Sequence, residues 1–561
     1  MFENKKVLVA IPACNTVIIP VVVTIVCLVP FVGKAFHIDD PLFIWAAKQI
    51  QTSPADFYGF MVNWYGTEMP MSEVTKNPPG TCYYIALAGW LFGFSEIALH
   101  IAFLVPAVAV ALGTYYLARQ FCSRPVLAAL AAVLTPGFLV SSTNIMCDTM
   151  MLASWVWAVF LWVRGVKEDK QLNLFLAAVL IAICALTKYV GIALLGLLFV
   201  YSLIQKRKLG RWALFLLVPI AILVVYQLAT HSLYGSGAIS SAVSFTTRYR
   251  WMGSVELFSK ALTGLAFFGG CMLTILFYGP LLWSRRVLVG GVVLTILFIF
   301  ALTFAERIGS FSIHNANGIR WGFLIQFSLM AMTGVSILGL AVADFKKCRN
   351  ADSLLLLLWV LGTFIFASFI NWVVNVRSVL PIVVAVGILL MRRIDQRCNA
   401  GQRIKIWRTI WPLLPAALIA LLVTWADYTW ANTARSAAVQ IHDSVEEHGA
   451  TVCFQGHWGF QYYMEANGHK AFDFKHSKPV AGDIIIIPSN NCFIGPLPEK
   501  TARLTEVFNF VPCRWLATME TSLGAGFYAG NKGPLPFAIG PVDPEKYYAF
   551  IIQMAESKVG F

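Results

Sequence analysis

Ionisable side chains occur inside, or directly beside, long apolar runs at several points of the sequence. Such side chains are expensive at membrane depth, so each is by default a functional candidate. They are Asp39, Asp40, Lys76, Asp148, Lys188 and Arg377. The order of the runs predicts that they lie at the same outer edge of a membrane, where a lipid-linked anion would present its headgroup.

These residue types suit one kind of chemistry. Lysine and arginine can hold phosphate oxygens and stabilise the charge that develops on a leaving group. A carboxylate can take a proton from an attacking hydroxyl. The set therefore predicts group transfer from a lipid phosphate.

The composition predicts that these residues belong to a polytopic membrane protein. Of 561 residues, 58% are hydrophobic and 12% are charged, whereas soluble domains carry about 25% charged residues. The net charge of +14 does not indicate nucleic acid, because the basic residues fall in short loops and not on one aromatic-interleaved face.

Apolar runs of sufficient length predict about thirteen transmembrane helices. Their expected positions are 8–31, 97–118, 125–142, 145–163, 172–187, 189–204, 212–230, 261–283, 287–305, 321–343, 353–372, 375–391 and 409–430. Just over half of the 42 Lys and Arg residues fall in the short loops of one side, which the positive-inside rule assigns to the cytoplasm. A cytoplasmic N-terminus and an odd number of spans then place residues 431–561 outside.

Two regions outside the spans complete the expected architecture. The first outer loop, about 34–96, contains amphipathic stretches that predict helices on the membrane surface. The tail has strand-like runs at 451–454 and 483–488 around a predicted helix at 457–466, which is typical of a small α/β domain. We therefore expect a transmembrane domain over 1–430 and a soluble domain over 431–561. No metal-ligand spacing is evident, so we expect no cofactor, although metal dependence stays open.

The order of the motifs resembles the C-type membrane glycosyltransferases. One helix is followed by an outer loop with an acid pair, a Lys-Asn-Pro-Pro turn over 76–79, Asp148 in Met-Cys-Asp-Thr-Met-Met-Leu, Lys-Tyr at 188–189, and Arg377 in Arg-Ser-Val-Leu-Pro. The most similar branch holds the protein O-mannosyltransferases of glycosyltransferase family 39 and the bacterial transferase that adds aminoarabinose to lipid A. The resemblance covers roughly residues 5–430.

The resemblance implies roles for individual residues. Asp39 stands at the position of the catalytic base, and Asp148 at that of a second acid that organises the site. Asp40 replaces an acid that is often Glu, and Lys76 lies one residue further upstream of the double proline than the Lys or His of the family. The residues predicted to contact substrate are Asp40, Lys76, Tyr83, Lys188 and Arg377, of which Lys76, Lys188 and Arg377 are expected to hold or orient the donor phosphate.

The implied activity is the transfer, with inversion, of a sugar from a polyprenyl-phosphate donor to a hydroxyl of a lipid, glycan or protein on the extracytoplasmic side. No nucleotide sugar or Rossmann fold is implied. We expect the bacterial inner membrane as the location, because the tail motif over 456–463 resembles tails of bacterial members and no terminal Lys-Asp-Glu-Leu is present. An endoplasmic-reticulum member is the alternative.

Structural interpretations compete with these roles. The only role of Asp39 and Asp40 could be to cap a surface helix, and the only role of Lys76 could be to extend to the interface. Asp148 and Lys188 could form a structural pair. For the whole protein the rivals are a transporter or lipid flippase, and a non-catalytic assembly protein that would tolerate substitution of Asp39. The transporter is disfavoured because no repeat relates the two halves and the candidates lie toward one face.

Overall fold

Long apolar helices make up most of the chain in the computed structural model, which describes residues 16–250, 257–446, 451–497 and 501–553. Within these ranges eight helices are long and apolar enough to cross a membrane, or ten if each of two bent pairs counts as one span. The predicted fold class of a polytopic helical membrane protein is confirmed. The count of about thirteen spans stays a prediction.

The helices are numbered in chain order. They are α1 (Ile18–Leu28), α2 (Asp40–Thr52), α3 (Met71–Val74), α4 (Gly80–Phe92), α5 (Glu96–Phe121), α6 (Pro125–Val133), α7 (Pro136–Ser142), α8 (Cys147–Glu168), α9 (Gln171–Thr187), α10 (Ala193–Lys206), α11 (Trp212–Phe215), α12 (Leu217–Tyr234), α13 (Ala238–Arg250), α14 (Leu257–Cys271), α15 (Thr274–Leu282), α16 (Arg285–Leu302), α17 (Trp321–Cys348), α18 (Ala351–Ile365), α19 (Val376–Val379), α20 (Ile382–Asn399), α21 (Ile406–Ile410), α22 (Leu413–Glu446) and α23 (Trp458–Ala466).

The strands are shorter and lie in loops between the helices and in the tail. They are β1 (Met61–Asn63), β2 (Glu68–Pro70), β3 (Arg307–Ile308), β4 (Phe311–Ser312), β5 (His314–Asn315), β6 (Gly318–Ile319), β7 (Val452–Phe454), β8 (Lys470–Ala471), β9 (Ile484–Pro488), β10 (Ala502–Phe510), β11 (Leu516–Ala517), β12 (Met519–Glu520), β13 (Ala525–Gly526), β14 (Ala538–Ile539) and β15 (Glu545–Ile552).

Every predicted apolar run coincides with helix, although positions 8–15 of the first run lie outside the described residues. The runs at 125–142 and 261–283 are each divided into two helices, α6 with α7 and α14 with α15, which bend by 66° and 85°. The first break has a local cause. Thr135 accepts the backbone N–H of Phe138 and Pro136 occupies the first helical position, so a new helix begins there.

The predicted α/β character of the tail is confirmed. A five-stranded sheet has the order β10-β15-β9-β7-β8. β7 runs parallel to both β8 and β9, and β15 runs antiparallel to both β9 and β10. Residues 451–497 and 501–553 are called the tail domain below.

The tail domain shares its hydrophobic contacts with the membrane helices. α22 continues without interruption past residue 430, where we predict the domain boundary. Residues toward its C-terminal end, such as Ala437 and Ile441, pack with Phe454 and Phe460 in the core of the tail domain. Conversely, Phe527 of the tail domain belongs to the core built by the membrane helices. The two parts of the chain are therefore interlocked.

Candidate active site

Four breaks in helical structure bring charged side chains together. Asp39 directly precedes α2, and Asp148 lies in the first turn of α8, where a carboxylate is favoured by the helix dipole. Lys188 has an extended backbone between α9 and a following 3₁₀ turn. Arg377 lies in α19, which begins after a non-helical stretch because the Asn375 side chain accepts the N–H of Ser378. Each charged group is thus presented at a helix terminus.

The four side chains form one connected cluster. Arg377 bridges the two acids: its Nη1 donates to Asp39 Oδ2 at 2.6 Å, and its Nε donates to Asp148 Oδ2 at 2.8 Å. Lys188 Nζ lies 2.5 Å from the other oxygen of Asp148. We call these residues, Asp39, Asp148, Lys188 and Arg377, the carboxylate–cation cluster.

Exposure differs within the cluster. The side chain of Asp148 is 2% exposed, whereas that of Asp39 is 26% exposed. Asp39 Oδ1 accepts no hydrogen bond from the residues that the structure describes. Asp148 is therefore held by two cations inside the protein, and Asp39 offers a free carboxylate oxygen at the surface of the cluster.

The turn before α2 holds Asp39 in place. Ile38 has a φ of +46°, an uncommon backbone conformation for a β-branched residue, with an expected cost of about 1–3 kcal/mol. Asp40 fixes this turn, because its carboxylate accepts the N–H of His37 at 2.8 Å and the N–H of Ile145 at 2.9 Å. Burial raises the pKa of Asp40 to about 7. Asp40 therefore joins the loop to the residues that precede α8.

The capping interpretation of the two acids does not fit these contacts. Asp39 occupies the N-cap position of α2, but its side chain makes no capping hydrogen bond. Its carboxylate is bound to Arg377 instead. Asp148 and Lys188 do pair, as the structural interpretation requires, yet Arg377 links that pair to Asp39.

The predicted Lys-Asn-Pro-Pro turn lies next to the cluster through its asparagine, which contacts the neighbour of Asp148. Cys147, the neighbour of Asp148, lies with its Sγ 3.7 Å from Asn77 Oδ1. A Cβ atom on Gly80 would lie 2.6 Å from Leu186 O, so only glycine lets the start of α4 approach the end of α9 so closely. The turn thereby packs between the helices that carry Asp148 and Lys188.

Lys76 and Tyr83 make their contacts elsewhere. Lys76 Nζ donates to Glu73 O at 2.7 Å and lies 5.5 Å from the ring centre of Phe245, and burial lowers its pKa. Tyr83 donates to Pro54 O at 2.5 Å. The structure does not bring either residue into the carboxylate–cation cluster, and a substrate contact by them stays a prediction.

A second polar network, absent from the sequence-based candidates, lies behind the cluster. Lys34 Nζ lies 2.5 Å from Asp427 Oδ2 and 2.6 Å from Asn144 Oδ1. Thr518 and Tyr528 of the tail domain donate to Asp427 at 2.6 and 2.8 Å. We call these five residues the Lys34–Asp427 network. Both charged side chains are fully buried.

His37 borders this network without being charged. Its Nε2 lies 3.9 Å from Asp427 Oδ1, and its ring packs edge-on against Trp430 and Tyr528. Burial lowers the pKa of His37 to about 3, so the contact with Asp427 is not an ion pair at neutral pH. No group of three or more His, Cys, Asp or Glu side chains within the described ranges is arranged to hold a metal ion.

The tail motif over 456–463 packs directly onto the turn before Asp39. Gly459 lies so close that an added Cβ would be 2.0 Å from Phe36 O. His457 N–H donates to Asn491 Oδ1 at 2.8 Å, and its ring nitrogen Nδ1 lies 2.7 Å from Gln461 Oε1. The motif is thus accounted for by packing.

The fold is that of the C-type membrane glycosyltransferases, and the resemblance seen in the sequence is confirmed. The family model described as dolichyl-phosphate-mannose-protein mannosyltransferase matches residues 76–231. That stretch contains Asp148 and Lys188, whereas Asp39 and Arg377 lie outside it. No curated protein matches the sequence.

Solved structures with a similar fold include several glycosyltransferases. ArnT from Cupriavidus metallidurans, bound to undecaprenyl phosphate, has a TM-score of 0.50 at 13% identity, over 85% of this chain and 94% of its own. The oligosaccharyltransferase of Archaeoglobus fulgidus, tethered with an acceptor peptide, has a TM-score of 0.48 at 13% identity, over 82% of this chain. This chain spans 63% of the archaeal enzyme's length.

Proposed function

We propose that the protein is a glycosyltransferase that moves a sugar from a polyprenyl-phosphate donor to a hydroxyl acceptor, with inversion at the anomeric carbon. The carboxylate–cation cluster carries this proposal. Asp39 has a free oxygen for a proton, Arg377 lies beside it, and Lys188 pairs with Asp148 in the same cluster; both cations have N–H groups of a type suited to a phosphate. ArnT from Cupriavidus metallidurans, which shares the fold, binds undecaprenyl phosphate.

The proposed reaction is a single displacement. The acceptor oxygen attacks the anomeric carbon while the bond from that carbon to the phosphate oxygen breaks. The proton of the acceptor hydroxyl moves to Asp39, and polyprenyl phosphate leaves with the bonding electron pair. Arg377 and Lys188 stabilise the charge that grows on the phosphate, and Asp148 holds both cations in place.

The balance of charges in the cluster supports the proposal that the donor phosphate becomes a partner of its cations during the reaction. Two carboxylates and two cations compensate each other when the site holds no donor. As Asp39 takes a proton, Arg377 loses one of its two anionic partners and can turn its electrostatic attraction to the phosphate. The developing negative charge on the leaving group is therefore matched when it appears, which is the condition for stabilising a transition state more than a ground state.

The topology belongs to the same proposal. A cytoplasmic N-terminus places the cluster and the tail domain on the extracytoplasmic side of the bacterial inner membrane. Polyprenyl-phosphate sugars would enter from the lipid, and the acceptor, a lipid, glycan or protein hydroxyl, would approach Asp39 from the aqueous side.

The test compares purified wild type with the Asp39→Asn variant. Both are offered a panel of polyprenyl-phosphate sugars with membrane extract as the acceptor, and released polyprenyl phosphate is measured. Wild type should release it, and the variant should be slower by on the order of a hundredfold to ten-thousandfold, the usual contribution of a general base. Glu73→Gln is the matched control, since Glu73 is an exposed acid of the same outer loop.

Either of two other outcomes would contradict the proposal. Equal release by wild type and Asp39→Asn would remove Asp39 as the base and favour a non-catalytic role for it. No release by wild type from any donor would favour the transporter or flippase, in which the same charged residues line a path for a lipid headgroup.

A further inference from the structure

A loop of the tail domain, residues 527–530, is hydrogen-bonded to the backbone segment that precedes Arg377. The N–H of Val376 donates to Phe527 O at 3.0 Å, and the N–H of Gly530 donates to Val374 O at 2.8 Å. These two hydrogen bonds run in opposite directions between residues 374–376 and 527–530. They fix the backbone immediately before Arg377.

The contact leaves no room for a side chain on the loop. A Cβ atom on Gly530 would lie 2.6 Å from the carbonyl oxygen of Val374. Because that neighbour is backbone, relief would require the loop or the 374–376 segment to move. The close approach therefore depends on glycine at this position.

The same loop is anchored in the Lys34–Asp427 network. In the sequence Tyr528 lies between Phe527 and Gly530, the two residues that are hydrogen-bonded to the 374–376 segment. Its hydroxyl donates to Asp427 Oδ2 at 2.8 Å and accepts from Asn144 Nδ2 at 2.8 Å. Phe527 is fully buried among the membrane helices. A tyrosine hydroxyl that both donates and accepts inside a buried network has a closely defined position.

The anchor also reaches the other side of the cluster. Asn144 directly precedes Ile145, whose N–H is bound by Asp40, the neighbour of Asp39. One tyrosine of the tail domain thus connects, through short covalent and hydrogen-bonded steps, to the backbones that present both Asp39 and Arg377.

We infer that Tyr528 and Gly530 are positioning residues of the active site, through which the tail domain sets the distance between Asp39 and Arg377. Neither residue touches the cluster itself; both act on the backbone that carries it. The activity part of this inference rests on the proposed function, whereas the structural part does not.

The structural part is tested by hydrogen–deuterium exchange of the full-length protein. Tyr528→Phe and Gly530→Ala should each speed exchange of the Val376 amide by on the order of tenfold, because the hydrogen bond to Phe527 O is weakened. Tyr548→Phe is the matched control: this tyrosine lies in β15 of the same domain, and its hydroxyl makes no hydrogen bond to the described residues. The control should leave exchange at Val376 unchanged.

The activity part is tested with a double-mutant cycle. In wild type, Tyr528→Phe should lower kcat on the order of tenfold, as a small misplacement of a catalytic group does. In an Arg377→Lys background the same change should cost less than about twofold, since a residue that acts through Arg377 has little left to disturb. Gly530→Ala is carried through the same cycle, so that a failure of one variant to fold still leaves a result.

Two results would overturn the inference. Unchanged Val376 exchange in both variants would show that the loop does not hold the segment. Equal fold losses of kcat in the wild-type and Arg377→Lys backgrounds would show that the loop affects turnover independently of Arg377. If wild type transfers no sugar, the proposed function fails, and the exchange experiment still decides whether the loop positions Arg377.

Discussion

The carboxylate–cation cluster and the Lys34–Asp427 network are built from the same kinds of residues, and they differ in how many of their polar atoms have a hydrogen-bond partner. In the Lys34–Asp427 network the lysine and the carboxylate are fully buried, and both oxygens of Asp427 accept hydrogen bonds. In the carboxylate–cation cluster, Asp39 is 26% exposed and one of its oxygens is open. A cluster whose carboxylate oxygens all accept hydrogen bonds is a structural cluster. A cluster at the surface with an open carboxylate oxygen is a site that can accept a ligand or a proton.

The difference also predicts what each cluster does when one member is lost. Removal of a partner from a fully buried ion pair leaves a charge that water cannot reach, so folding suffers. Removal of a partner from a partly exposed cluster leaves groups that water can solvate, so catalysis should suffer more than folding.

The largest effect is expected for Asp427→Leu. This change leaves Lys34 charged and buried and should destabilise the protein by about 3–5 kcal/mol, measured as a fall in the thermal denaturation midpoint in detergent. The Lys34→Met, Asp427→Leu double variant should be more stable than Asp427→Leu alone, because no unpaired charge remains. An Asp427→Leu variant as stable as wild type would show that the Lys34–Asp427 network is not needed for folding, so the two clusters would not differ in this way.

An intermediate effect is expected for Arg377→Lys. Lysine keeps the charge but cannot present two N–H groups to Asp39 and Asp148 in a fixed fork. Turnover should fall on the order of a hundredfold, while the denaturation midpoint changes little. Arg435→Lys is the matched control, since Arg435 pairs with Glu96 at a more exposed position and should tolerate the change. A loss of stability that equals the loss of turnover would assign Arg377 to the structural class.

The smallest effect concerns Glu545, which extends the buried polar region into the sheet of the tail domain. Burial raises the pKa of Glu545 to about 7, although Trp430 and Asn490 donate to its Oε1. The unfolded chain releases this proton near pH 4.5. The stabilising contribution is therefore complete below that pH and is lost as pH rises through about 7.

The slope in that interval should be on the order of 1 kcal/mol per pH unit. Thermal denaturation midpoints measured from pH 5 to 8 should fall less steeply in Glu545→Gln than in wild type. Glu506→Gln, an exposed acid on β10, should retain the wild-type slope. Identical slopes in all three proteins would show that Glu545 titrates as it does in the unfolded chain.

The sequence predicts the members of the active site better than their contacts. Asp39, Asp148, Lys188 and Arg377 share one property that is visible in a linear chain: each charged residue lies beside an apolar run. The bridge from Arg377 to both acids is not visible, because the pairing depends on how four helix breaks converge. Lys76 satisfies the same sequence criterion, yet in the fold its side chain turns toward Glu73 and Phe245.

Lys34 and Asp427 also lie beside or within apolar runs, so a signal for them exists in the sequence. Their partnership does not, because 393 positions separate them. The tail domain illustrates the same limit. Strands β7 and β9 and helix α23 follow local patterns that the sequence displays, whereas the hydrogen bonds of residues 527–530 to Val374 and Val376 are a tertiary contact with no local pattern.

The separation of Lys34 from Asp427 has a consequence for the order in which the protein is made. A chain inserted from its N-terminus places Lys34 at the membrane long before the ribosome reaches Asp427, and Tyr528 emerges later still. Until then the ammonium group must be solvated by water or by lipid headgroups, because hydrocarbon does not accept it. The partners of Lys34 are therefore complete only after Asp427 and Tyr528 have been made, so an interrupted synthesis would leave its charge unpaired.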